Sequence, residues 1–128
     1  MRIVLDTNVL VSALLNPSGL PAAVLTLVLN GEFKLLYDNR ILLEYTEVLW
    51  RPVFDFKPDT VTNLLEYVKT DGEFVSALPQ KIKFIDVTDK KFYEVYKSGG
   101  AEYLVTGNGK HYPQEKGIVT PRVFLELI

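Results

Sequence analysis

Ile3-Val4-Leu5 is an uninterrupted apolar run that ends abruptly in a carboxylate, Asp6. Side chains alternate across a strand, so a strand with no polar face must be covered on both sides. A sheet enclosed between helices supplies that cover, which points to an α/β architecture. A second run of the same shape, Tyr103-Leu104-Val105-Thr106, ends in the turn Gly107-Asn108. In open parallel sheets the residues just past the carboxyl ends of strands line the ligand crevice. Both strings therefore put polar groups where such folds do chemistry.

The remainder of the chain alternates in the same way. A first helix is predicted from Val9 to Leu15, closed by Asn16-Pro17-Ser18-Gly19, and a second from Pro21 to Gly31, with proline entering and glycine leaving. Phe33 to Tyr37 reads as a strand, followed by a helix from Arg40 to Arg51 with Asp38 or Asn39 as cap and Pro52 as stop. Val61, Leu64, Leu65 and Val68 form the apolar stripe of a fourth helix that Gly72 stops. Ile82 to Ile85 reads as the third strand, and Asp89 to Ser98 as a helix with Phe92, Val95 and Tyr96 facing inward. Tyr103 to Thr106 and Ile118-Val119 complete the strands, and Thr120-Pro121 opens a last helix carrying Val123, Phe124 and Leu127. No repeat, low-complexity tract or linker divides residues 1–128, which are read as a single domain. The expected fold is a three-layer α/β/α domain with a mostly parallel, roughly five-stranded sheet.

Composition removes several function classes. There is no cysteine and only one histidine, which excludes disulfides and thiolate sites and nearly excludes the usual zinc sites. Any metal would be a hard cation held by oxygens. No window reaches the ~18 consecutive apolar residues of a membrane helix, and the opening run stops at Asp6 and Asn8, unlike a signal peptide. A cytoplasmic protein with no membrane partner is expected. The net charge of −2 gives no global attraction to nucleic acid, so binding a polyanion needs a local basic patch or a bound cation.

Three acids stand out, each with a structural alternative. Asp6 closes a buried strand, where an unpaired charge is costly; it either caps the next helix or serves a ligand, and Thr7 or Asn8 can supply the cap instead. In the third helix Ile41, Leu42, Tyr45, Val48 and Leu49 define the buried stripe, which puts Glu44 at its edge and Glu47 nearly opposite. Glu47 lies four residues before Arg51, ordinary surface ion-pair spacing, while Glu44 is either a solvated flank or leans over a crevice. Asp89 opens a helix, as a cap or as a site acid, with Lys90 and Lys91 beside it as solvated flanks or phosphate contacts. Asn108 fits turn chemistry as well as a site rim, and His111 fits a surface position.

Together these strings resemble the PIN-domain family, most closely the branch of VapC-like toxin components of bacterial and archaeal toxin–antitoxin pairs. Val4-Leu5-Asp6-Thr7-Asn8-Val9-Leu10-Val11-Ser12-Ala13 resembles the start of that branch almost letter for letter. Ile41-Leu42-Leu43-Glu44-Tyr45 is similar to its central acidic helix, and Asp89-Lys90-Lys91-Phe92 to its third acidic element. Gly100 to Asn108 and Thr120-Pro121-Arg122-Val123-Phe124-Leu125 resemble its closing motifs. The resemblance implies an endoribonuclease for single-stranded RNA, with Asp6, Glu44 and Asp89 as catalytic acids holding Mg²⁺ or Mn²⁺. It also implies a polar rim of Asn8, Thr106, Asn108 and His111, a small antitoxin partner and a homodimer. Two positions depart from the pattern. His111 stands where many PIN domains have a fourth acid, and Glu102 stands where the branch has Asp. Glu102 lies at the start of its strand, ~13 Å from the active end, and is read as structural.

The chemistry is coherent with the residues. Clustered carboxylates suit a hard cation that keeps waters and also binds phosphate. Arg40, Arg51, Lys57, Lys90, Lys91 and Lys110 lie on elements near the expected crevice mouth. The alternative from another class is an inactive PIN-fold module that only binds RNA or a protein, which His111 favours and metal titration separates. A second rival is an aspartyl-phosphate phosphatase or receiver-like domain, both of which place Asp after a first strand; such phosphatases want a second Asp two residues on, where this chain has Asn8.

Overall fold

In the computed structural model, which describes Met1–Ile128, five strands form one wholly parallel sheet of order β3-β2-β1-β4-β5. The strands are β1 (Arg2–Leu5), β2 (Lys34–Tyr37), β3 (Glu73–Phe74), β4 (Tyr103–Val105) and β5 (Ile118–Val119). The helices are α1 (Thr7–Leu15), α2 (Leu20–Leu29), α3 (Asn39–Leu49), α4 (Pro58–Asp71), α5 (Lys90–Ser98) and α6 (Pro121–Leu127). Ile3, Val4 and Leu5 are completely buried, as a strand apolar on both faces requires. They pair with β4 in the register Ile3–Tyr103, Val4–Leu104, Leu5–Val105. On one side α2 packs on α1 and α6, and α6 lies against β4 and β5; on the other α5 covers β1, β2 and β4 and meets α3. No single helix is long and apolar enough to cross a membrane.

The strand order decides where a ligand can sit. From β1 the chain moves outward to β2 and β3, then returns to place β4 on the other flank of β1. The connections therefore diverge from the gap between β1 and β4, leaving a crevice at their carboxyl ends. Asp6 and Thr106 follow those two ends directly.

One strand lies elsewhere than the alternation of residues predicts. Ile82–Ile85 is not a strand; the third strand is Glu73–Phe74, paired with Leu36 and Tyr37. Gly72 makes this possible, since a Cβ there would lie 2.3 Å from the Val68 carbonyl oxygen and 3.0 Å from that of Leu35. With the edge of β2 taken, the following segment runs along α5 as a strap. Its backbone N–H groups bond to helix side chains, Leu78 to Ser98 Oγ and Gln80 to Glu94 Oε2, both at 2.8 Å. Phe84 packs on Tyr93 and Tyr112. Pro79 lacks a donor and Ile85 is 78% exposed, so the alternating pattern here reflects a half-covered strap rather than a sheet strand.

Smaller differences concern ends and faces. α1 begins at Thr7 rather than Val9, α3 ends at Leu49 before Trp50, and a single 3₁₀ turn, Val87–Asp89, precedes α5. In α6 only Phe124 is buried, against Phe33 and Tyr103, while Val123 and Leu127 are exposed. Asp38 caps α3 through Ile41 N–H at 2.9 Å, and Thr120 caps α6 through Val123 N–H at 3.2 Å. Glu102 accepts the Arg2 N–H at 2.7 Å and is structural, as its position predicts.

Glu94 ties the strap to the body, accepting from Gln80 N–H and from Arg40 Nη1 at 2.7 Å. Burial pushes its carboxyl up, but the bonds from Arg40 and Gln80 outweigh that and hold it below the ordinary range. Glu94→Gln is expected to cost about 1–3 kcal/mol at neutral pH in urea unfolding. A carboxyl lowered by folding contributes above its unfolded pKa of about 4.3 and loses that contribution as pH falls. The gap between wild type and Glu94→Gln should accordingly close below about pH 4.

Candidate active site

A carboxylate following a strand is expected either to cap the next helix or to face a crevice. Asp6 occupies the N-cap position of α1, with φ −63° and ψ 145°, but its side chain makes no capping bond. Its Oδ2 instead accepts from Thr106 Oγ1 at 2.8 Å and Tyr112 OH at 2.9 Å. Asp6 is only 4% exposed, and burial raises its carboxyl above the ordinary range; Glu44 nearby adds to the rise, and the two hydroxyls only partly offset it. Both partners are neutral, so the buried charge has no counter-ion of its own. Thr106 is fully buried and relays the contact, its Oγ1 accepting Asn108 N–H at 3.0 Å. Across the gap Asn8 Oδ1 accepts Gly107 N–H at 3.1 Å, which fastens the start of α1 to the turn after β4.

Helix phase separates the two glutamates of α3 as the spacing predicts. Ile41, Tyr45 and Leu49 are buried, Glu47 is paired outward with Arg51 at 3.0 Å, and Glu44 borders the crevice. Glu44 accepts from Thr7 Oγ1 and forms an ion pair with Lys91 Nζ at 2.7 Å. Lys91 is neither a solvated flank nor an open phosphate contact. Its side chain is 12% exposed, and its ammonium lies 5.1 Å from the Phe92 ring centroid.

Asp89 also departs from the capping alternative. The preceding turn is capped by Asp86, which accepts from Thr88 N–H at 2.9 Å and Thr88 Oγ1 at 2.7 Å. Asp89 makes no capping bond to α5 and instead meets His111 Nδ1 at 3.2 Å. Burial raises the Asp89 carboxyl and the nearby Asp6 charge raises it further, against the opposing contact with His111.

Asp6, Glu44 and Asp89 thus border a single crevice together with Asn8 and Asn108. No three acidic or histidine side chains are arranged around a common point as ready metal ligands. Each acid is drawn to a different partner: hydroxyls for Asp6, an ammonium for Glu44, an imidazole for Asp89. The donor chemistry nonetheless fits a hard cation, since every polar group on the wall offers oxygen, and a cation would offset both the burial that chiefly raises the Asp6 and Asp89 carboxyls and the lesser push from their acidic neighbours.

The basic residues expected at the mouth divide into two sets. Arg40 is held by Asp38 and Glu94, Arg51 by Glu47 and Lys91 by Glu44. Lys57, Lys90 and Lys110 form no ion pair. Three contributors escape sequence reasoning: Tyr112, Lys91 as partner of Glu44, and Phe54 on the wall. Nothing local marks either Tyr112 or the pairing of Lys91, the residue directly before the buried Phe92, with Glu44.

A model of the PIN domain family matches residues 2–110, most of the chain. No curated protein matches it.

A carboxyl raised by folding destabilises the native state once ionised, so stability is lost as pH rises from the unfolded pKa through the folded one. Asp89→Asn removes that penalty and should raise the melting temperature at pH 7 in metal-free buffer. The difference should vanish below about pH 3.9, where Asp is protonated in both states. A pure cap would give no such pH dependence, because Asn and Asp cap about equally.

Proposed function

This chain belongs to the PIN-domain family, and on that premise we propose that it is a Mg²⁺- or Mn²⁺-dependent endoribonuclease acting on single-stranded RNA. PIN domains are generally nucleases and bind nucleic acid. The observation that carries the finer reading is the meeting of Asp6, Glu44 and Asp89, from three separate elements, on one crevice at the switch point of the sheet. These three acids would hold the metal. When bound, the ion supplies charge neutralisation at the scissile phosphate and acidifies water for attack.

The chain's own groups prepare that site. Thr106 and Tyr112 fix the Asp6 carboxylate in one orientation, Thr7 aligns Glu44, and His111 positions Asp89. Asn8 and Asn108 form the polar rim toward the substrate. Lys57, Lys90 and Lys110 are available for phosphates that a chain of net charge −2 otherwise repels. The toxin role, a small antitoxin that restrains the enzyme, and a homodimer belong to the same proposal, supported by the likeness of the Val4–Ala13 and Gly100–Asn108 strings to the toxin branch.

One observation favours a second reading. Glu44 and Asp89 already have basic partners in Lys91 and His111, an arrangement that suits an inactive module binding RNA or a protein. Cleavage of single-stranded RNA in Mn²⁺, abolished by EDTA, separates the two. Glu44→Gln should lower kcat/KM by roughly two orders of magnitude, while Glu47→Gln should cost only a few tenths of a kcal/mol of stability. Equal losses in both variants would overturn the role assigned to Glu44.

Lys91 also competes with any cation for Glu44. Lys91→Met should therefore tighten Mn²⁺ binding in calorimetry about fivefold, equivalent to about 1 kcal/mol. Unchanged affinity would remove Glu44 from the ligand set.

A further inference from the structure

The link between α3 and α4 contains two overlapping tight turns: Phe54 N–H donates to the Arg51 carbonyl and Asp55 N–H to that of Pro52, both at 3.1 Å. Asp55 sits at φ 50°, in the left-handed region that Asp tolerates better than most residues. On either side of it the rings of Phe54 and Phe56 are stacked, with centroids 5.3 Å apart and planes 11° from parallel. The two rings have different roles. Phe56 is packed against the core, whereas Phe54 is outside it, half-buried, and lines the crevice shared with Asp6, Glu44 and Asp89. Lys57, exposed and free of ion pairs, follows directly.

A preformed aromatic ring at the wall of an acidic crevice that, on the nuclease reading, receives a phosphodiester through a bound cation has a specific use. Single-stranded nucleic acids are bound by aromatic rings that stack on unpaired bases, next to cations that follow the backbone. A base inside a duplex is already stacked and does not present its face to such a ring. We propose that Phe54, backed by Phe56, is the platform on which an unpaired base beside the scissile phosphodiester stacks, and that it makes the enzyme selective for single strands. This rests on the nuclease reading and adds the feature of the substrate that the site recognises. Stacking depends on the base, so RNA and single-stranded DNA both present the required face.

The test uses the whole chain and an oligonucleotide carrying 2-aminopurine, in single-stranded RNA, single-stranded DNA and duplex forms. Binding is read by fluorescence in Ca²⁺, and KM and kcat for cleavage are read in Mn²⁺. The wild type should quench the probe and bind single strands at least tenfold more tightly than duplex. Phe54→Ala and Phe54→Leu should each weaken single-strand binding about tenfold and raise KM with little change in kcat, while Phe54→Tyr retains wild-type binding. Phe54→Leu keeps apolar volume against Phe56 and loses only the aromatic face, so it decides the matter if Phe54→Ala fails to fold. Wild-type binding and KM in Phe54→Leu, or a wild type that prefers duplex, would overturn the platform and leave the nuclease reading standing. Tight binding of single-stranded DNA without cleavage would support the platform and assign sugar discrimination to another part of the site. A wild type that neither binds nor cleaves any of the three would overturn both.

Discussion

The carboxylate of Asp6, bonded to Thr106 and Tyr112, joins parts of the chain a hundred residues apart at the one place where the sheet's connections diverge. Its partners are neutral, so the bonds orient the charge without cancelling it. Burial and the neighbouring acid keep the carboxyl raised, a standing cost that the surrounding core must offset. The rest of the site is hung from the same point. Thr7, the next residue, reaches Glu44, and the Tyr45 hydroxyl donates to the Leu5 carbonyl just before it. Thr106 passes the contact on to the backbone of Asn108. Rigid strand ends thus determine the position of groups that loops alone would leave loosely defined.

The three acids differ less in kind than in company. Asp6 is met by hydroxyls, Glu44 by the Lys91 ammonium and Asp89 by the His111 ring. A cation entering the crevice meets no competitor at the first and must displace one at the second. His111 Nδ1 lies 3.2 Å from Asp89 Oδ2, so this acid is met by an imidazole rather than by a hydroxyl or an ammonium. Lys57, Lys90 and Lys110 form no ion pair, unlike Lys91, which Glu44 holds.

Some of this was legible in residue order because the governing physics is local. Three consecutive apolar residues require a strand with two covered faces, and Ile3, Val4 and Leu5 are fully buried. The 100° step of a helix separates Glu44 from Glu47 irrespective of what surrounds α3, and the Glu47–Arg51 pair occupies the outward face. The strap at Ile82–Ile85 was not legible. The chain leading into it is bonded to α5 through Leu78 and Gln80, and within it Phe84 packs on Tyr93 and Tyr112 while Ile82 and Ile85 stay exposed, so its apolar residues do not mark a sheet strand. Whether Asp89 caps or faces the crevice was equally open in the sequence, since the first turn of a helix favours an acid for either reason.

The sequence by itself determined the layered α/β class, the covered central strand, the phase of α3 and the positions at which acids follow strands or begin helices. Each depends on chain periodicity or on turn chemistry acting within a few residues. Only the tertiary structure decided that Lys91 faces Glu44, that Tyr112 reaches Asp6 and that Phe54 borders the acids. Those pairings depend on strand order and on which helix faces meet, and contacts between residues far apart in the chain leave no period in the sequence to read.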